Sequence, residues 1–141
     1  MRIKRFDKSI ALPEHKTTGS AGFDLASRER IEIAPRSVGY IPLNVVIEVP
    51  TGCVVLLIAR SSLHKKGLML INGVGVMDSD FCGNEDEYKA ACFNFTDDLV
   101  VIEKGDRVCQ GLLMRYERAD FSEVENMDRQ TRGGFGATGT K

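Results

Sequence analysis

Short apolar runs bounded by turn residues dominate the chain, and a helical period is scarce. Residues 38–49 are rich in β-branched side chains and stop at Pro50-Thr51-Gly52, after which Cys53-Val54-Val55-Leu56-Leu57-Ile58-Ala59 follows at once. The two runs are expected to pair across that tight turn. Further strands are predicted over residues 87–95, 99–102 and 108–116, with Glu103-Lys104-Gly105-Asp106 turning between the last two. Residues 61–66 suit one helical turn. Many short strands with frequent turns predict an all-β jelly roll or distorted barrel.

The end of the chain breaks this pattern. Residues 133–141 hold four glycines in nine positions. Such a segment builds no core, and by composition it reads as a frayed end. Phe135, set among those glycines, also suits a strap over a planar ligand. Glycine lets backbone N–H groups converge on phosphate oxygens because no Cβ blocks the approach. The expected organisation is one domain over residues 1–128 and a flexible C-terminal arm over 129–141.

At 141 residues the chain is the size of a single domain. Nineteen basic against twenty acidic residues leave a net charge of −1, with no field to hold a nucleic-acid backbone or an anionic membrane. No apolar run is long enough to span a bilayer, and Met1-Arg2-Ile3-Lys4-Arg5 has no apolar stretch behind it, so a cytoplasmic protein is expected. The four cysteines form no CxxC pair, and only His15 and His64 could join them, so neither disulfides nor a zinc site is expected. Cys53, Cys92 and Cys109 lie inside apolar runs and read as small buried hydrophobes.

Five segments carry candidate chemistry, each weak alone. Ala21-Gly22-Phe23-Asp24-Leu25 puts a carboxylate after a glycine, which by itself reads as a turn aspartate. Ala59-Arg60-Ser61-Ser62-Leu63 ends an apolar strand with a guanidinium and two hydroxyls, donors suited to a polyphosphate or to an N-cap. Asn72-Gly73-Val74-Gly75-Val76-Met77-Asp78-Ser79-Asp80-Phe81 surrounds an acid with apolar and glycine residues. That acid could serve as a general base, or the segment could be a plain hairpin. Gly105-Asp106-Arg107-Val108-Cys109-Gln110 sets an amide shortly after a basic residue, or is an ordinary turn entering a strand. The glycine tail around Phe135 is the fifth.

In this order and spacing the five segments resemble the five motifs of the trimeric dUTPase family, over residues 21–139. The resemblance implies a jelly-roll homotrimer with shared active sites, and Mg²⁺-dependent hydrolysis of dUTP to dUMP and pyrophosphate by water attack on the α-phosphate. That activity limits uracil incorporation into DNA and supplies dUMP for dTTP synthesis. The match implies that Asp24 holds Mg²⁺ through water and that Arg60, Ser61 and Ser62 grip the phosphates, with Ser61 assisting the leaving pyrophosphate. Asn72, Gly73 and Met77 fall in the uracil-reading hairpin, and Lys89 joins the substrate-binding set. Asp78 matches the general base, Phe81 the aromatic that packs on deoxyribose, and Gln110 the α-phosphate contact. Phe135 would stack on uracil while Gly133, Gly136, Ala137, Thr138 and an arginine close on the outer phosphates.

The chain departs from the family pattern in four places. Phe81 stands where most members have tyrosine, Asn84-Glu85-Asp86 looks like an insertion, and Ala137 replaces a common serine. Gln130 occupies the usual place of the arm's arginine, leaving Arg129 or Arg132 for that role. A dCTP deaminase shares the fold and an Arg-Ser-Ser-Leu motif, but it needs a glutamate where this chain has Ala91. A binding-only relative is the remaining alternative, and the expected acids are all present.

Overall fold

The computed structural model describes residues 1–134. Phe135, Gly136, Ala137 and Thr138, expected to cover the substrate, lie outside the described residues. The strands are β1 (Ile3–Arg5), β2 (Phe23–Ala26), β3 (Ile31–Ile33), β4 (Val38–Pro42), β5 (Val45–Ile47), β6 (Cys53–Ala59), β7 (Leu68–Leu70), β8 (Gly75–Met77), β9 (Lys89–Asn94), β10 (Val100–Ile102) and β11 (Arg107–Arg115). A single 3₁₀ turn, Leu63–Lys66, follows β6, and Gly67 closes it in the left-handed region at φ 77°. The all-β architecture is therefore as expected, and the predicted strands over 87–95, 99–102 and 108–116 are present as β9, β10 and β11. Among the described residues no helix is long and apolar enough to cross a membrane.

The strands form four sheets, ordered β2-β11-β6-β8, β4-β9-β7, β1-β5 and β10-β3. Every pairing is antiparallel. One continuous core lies between them, built around Leu25, Ile33, Ile41, Leu57, Tyr88 and Val108. Strands at its centre are apolar on both faces, as in β5, where Val45, Val46 and Ile47 are all buried.

One expected pairing is absent. The run over 38–49 does not pair with β6: Pro42 ends β4, and Asn44 turns the chain with φ 67° before β5 begins. Asn44 is held there by its side chain, whose Oδ1 accepts the Asp7 N–H at 2.7 Å and whose Nδ2 donates to the Asp7 carbonyl at 2.9 Å. β5 then pairs with β1, while β6 has both edges taken, by β11 and by β8. The tight turn itself is real, with the Cys53 N–H donating to the Pro50 carbonyl at 2.9 Å. It carries the chain from one sheet to another.

Gly111 sits opposite Phe23 in the β11–β2 ladder, and a Cβ there would lie 2.3 Å from the Phe23 ring. That close approach leaves room for the outer edge of the Phe23 ring against β11. Gly111→Ala is expected to displace the ring and cost about 1–3 kcal/mol. Urea titration checks this, and an unchanged midpoint would mean the ring has room to move.

The described cysteines are free thiols. Cys92 and Cys109 are buried, Cys53 is half-buried and Cys82 is exposed. Burial pushes the Cys92 thiol up to about 11 and the Cys109 thiol up further. Both stay protonated near neutral pH, and only the thiolate is nucleophilic. Iodoacetamide at neutral pH should therefore label Cys82 in the folded protein and reach Cys92 and Cys109 only after denaturation, as read by peptide mass.

Candidate active site

Asp24 lies at the centre of one polar cluster. It is 7% exposed, in the middle of β2. Its Oδ1 accepts from Arg60 Nε at 3.1 Å and from Gln110 Nε2 at 3.2 Å, and its Oδ2 accepts from Arg107 Nη1 at 2.7 Å. Gln110 is brought there by register, since it faces Asp24 across β11–β2 and Ile58 across β11–β6. Arg60 arrives at the end of β6, its N–H bonded to the Val108 carbonyl.

Arg107 is the residue that the sequence reading missed. Along a regular strand, positions three apart face opposite sides. β11 carries a bulge between Arg107 and Cys109, which inserts one residue and turns Arg107 to the same side as Gln110. The turn signal at Gly105-Asp106 was visible, but period-two spacing alone sends Arg107 the wrong way.

The cluster keeps donors in reserve. Arg60 spends Nε on Asp24 and Nη1 on the Arg107 carbonyl at 3.3 Å, and its side chain remains a quarter exposed. Arg107 is more exposed still. Ser61 is exposed and Ser62 half-buried at the adjacent turn. Ser62 precedes the 3₁₀ turn but makes no side-chain cap, so the N-cap reading of its hydroxyl does not hold. A cavity of about 420 Å³ opens beside Asp24 and Arg107, lined also by Glu14, Lys16 and Lys104.

The second cluster stands on the turn after β8. The Phe81 N–H donates to the Asp78 carbonyl at 3.2 Å, so the acid and the aromatic belong to one tight turn. Asp78 and Phe81 are both exposed, and Met77 is half-buried. The enclosure that the flanking glycines and apolar residues suggested for Asp78 is not provided by its own chain. A concavity of about 500 Å³ borders the acid, formed with Val54, Val76, Tyr116 and Arg118.

Asn72 and Gly73 make a turn, with the Val74 N–H bonded to the Asn72 carbonyl and Gly73 at φ 68°. The flanking strands do not pair as a hairpin: β7 joins β9 and β8 joins β6, so the turn passes between sheets. Lys89 opens β9 opposite Pro42 and is exposed. Arg129, Arg132 and Gly133 are exposed beyond the end of β11.

One chain does not bring the two clusters together. Asp78 continues β8 level with Val54, whereas Asp24 is level with Ile58 at the far side of the sheet, so strand spacing and rise place the two Cα positions roughly 20 Å apart along the sheet.

Fold and clusters together define the class: an all-β domain with guanidinium and hydroxyl groups gathered in one place and an exposed acid beside an aromatic in another. A dUTPase family model matches residues 8–139, and the chain belongs to the dUTPase family. It is 42% identical to the deoxyuridine 5'-triphosphate nucleotidohydrolase of Lactococcus lactis and 39% identical to that of Finegoldia magna, each comparison covering 99% of both proteins. Among solved structures it is similar to the dUTPase of Streptococcus mutans, with a TM-score of 0.77 and 37% identity over 84% of this chain and 98% of that one. The fold also matches a Staphylococcus bacteriophage 80alpha dUTPase solved with dUPNHPP, with a TM-score of 0.83 and 23% identity over 98% and 97% of the two chains.

Proposed function

We propose that this chain hydrolyses dUTP to dUMP and pyrophosphate, as a cytoplasmic homotrimer with sites shared between subunits. The observation that carries the reading is the cluster at Asp24, in a member of the dUTPase family. It holds two guanidiniums and an amide around one carboxylate, with donors left over for a polyphosphate. In the cell this reaction removes a source of uracil in DNA and supplies dUMP for dTTP synthesis.

The chemistry follows from the donors. Arg60, Ser61 and Ser62 bind the phosphate chain, and the second N–H of the Gln110 amide reaches the α-phosphate. Asp78 accepts a proton from water as its oxygen attacks the α-phosphorus. The bond from the α-phosphorus to the bridging oxygen breaks, and Ser61 donates to the departing pyrophosphate. Asn72, Gly73, Met77 and Lys89 border the base and sugar, and Phe81 packs on the deoxyribose.

Magnesium fits this set. Asp24 commits three acceptor positions to protein donors and keeps one on Oδ2, enough to accept from a metal-bound water. Among the described residues there is no group of three or more metal-ligating side chains. Mg²⁺ would take its remaining ligands from substrate phosphates and water, which is its usual habit. Bound there, it supplies positive charge to the triphosphate.

Two features support a shared site. The roughly 20 Å between Asp24 and Asp78 exceeds the reach from an α-phosphate to its attacking water, so a site needs the two clusters from different chains. Val38, Tyr40 and Met69 also expose apolar side chains around β9, on the β4-β9-β7 sheet, a surface suited to burial against another copy. The arm over 129–141, led out by an exposed segment after β11, then closes over a neighbour's site and excludes water.

Pyrophosphate release from dUTP, dCTP, dTTP and UTP tests the reading. Strong preference for dUTP is expected. Ammonia released from dCTP would instead indicate a deaminase, although Ala91 lies opposite Tyr40 with no acid in its place. Binding of dUTP without turnover would indicate a silent relative.

A further inference from the structure

We propose that Tyr88 is a specificity-determining positioning residue, a buried buttress beneath Phe81 that sets the sugar gate. The inference rests on the reading of Phe81 as the deoxyribose contact. The Phe81 and Tyr88 rings stack with centroids 6.3 Å apart and planes 18° from parallel. Phe81 is 40% exposed, whereas Tyr88 is fully buried. One side of the gate therefore rests on the core while another stays open to a ligand.

Tyr88 is fixed from several directions. Its N–H donates to the Val45 carbonyl at 2.9 Å, and its carbonyl accepts the Leu43 N–H at 2.8 Å. The preceding Glu87 is buried and accepts from Arg28 Nε and from the Asn44 N–H, each at 2.9 Å. The insertion is itself a closed turn, in which Asp86 Oδ2 accepts the Gly83 N–H at 2.7 Å and the Asp86 N–H donates to the Gly83 carbonyl. A Cβ at Gly83 would meet Asp86 Oδ2 at 2.9 Å, so a side chain there would have to push the carboxylate aside. Lys4 holds the outer edge through the Asn84 carbonyl and pairs with Glu85 at 3.8 Å.

The backbone bonds and the buried Glu87 pin Tyr88 to the core. Phe81 rides on an exposed turn, fixed by its own backbone bond to Asp78. Without a partner its ring could rotate, and an open gate would admit the larger sugar. Tyr88 supplies the flat surface that limits this rotation. Its hydroxyl is no part of the argument, since Tyr88 Oη is buried without a hydrogen-bond partner among the described residues.

That last point makes the proposal testable by separating ring from hydroxyl. Tyr88→Phe keeps the ring and is expected to preserve the preference for dUTP over UTP in kcat/KM. Tyr88→Leu and Tyr88→Met fill the core but remove the stack, and should lower that preference about two- to tenfold, the range an aromatic pair contributes. The loss should come from improved use of UTP, with kcat for dUTP nearly kept. In a Phe81→Ala background, Tyr88→Leu should have no further effect on the ratio, because the residue it acts through is gone. A folded leucine or methionine variant with unchanged preference overturns the buttress. So does a phenylalanine variant that loses preference, and this isosteric change is the safest to fold. If the wild type fails to hydrolyse dUTP, the error lies in the proposed function, which the same assay reports separately.

Discussion

Asp78→Asn is expected to bind dUTP nearly as the wild type does and to lose roughly 10²–10⁴-fold in kcat. An amide of the same shape keeps the hydrogen bond to water but cannot take its proton. Asp78 is exposed at a turn, tethered to Phe81 by a backbone bond. The substitution therefore disturbs no packing, and stability should not change. Single-turnover kinetics with binding measured by calorimetry separates the two effects. Near-normal kcat would remove Asp78 from the role of base and direct attention to Asp80, which borders the same concavity.

Asp24→Asn is expected to act on both stability and turnover. Asp24 accepts from Arg60, Arg107 and Gln110, and its side chain is only 5% exposed. An amide there turns one acceptor oxygen into a donor group facing guanidinium donors. Breaking a buried ion pair by removing one partner costs about 3–5 kcal/mol, and the partial exposure of both arginines lowers the expected figure to about 2–3 kcal/mol. The urea midpoint, at fixed protein concentration, should fall by the corresponding amount with the slope unchanged. Turnover should fall as well, because Arg60 loses the partner that aims it. A variant of full stability and low activity would mean that Asp24 serves the metal alone.

The strands were legible because β-branched runs and Gly or Pro turns mark them locally. Which sheet each strand joins was not. Residues 45–47 and 53–59 are apolar on both faces, so no period distinguishes the strand that pairs with β1 from the one flanked by β8 and β11. Resemblance of motifs singled out Asp24, Arg60 and Gln110, and the fold brings these three together. Arg107 was hidden by a bulge, a backbone event with no signal in hydrophobic spacing. Asp78 illustrates a different limit. Its neighbours in sequence suggested enclosure, but it stands exposed on a turn. Tyr88 looked like one more strand residue, and only the fold places its ring under Phe81.

Complementation between two inactive variants tests the central claim, a dUTP-hydrolysing site completed between chains. Asp78→Asn damages one cluster and Arg60→Ala the other, and each homotrimer should assemble yet turn over slowly. In trimers refolded from equal amounts, a site drawing its clusters from different chains receives both intact in about a quarter of cases, given a closed threefold ring. Pyrophosphate release from dUTP should then recover to about a quarter of the wild-type rate. If each site lay within one chain, every site would carry one defect or the other. Mixed trimers confirmed by mass that recover no activity would contradict the account.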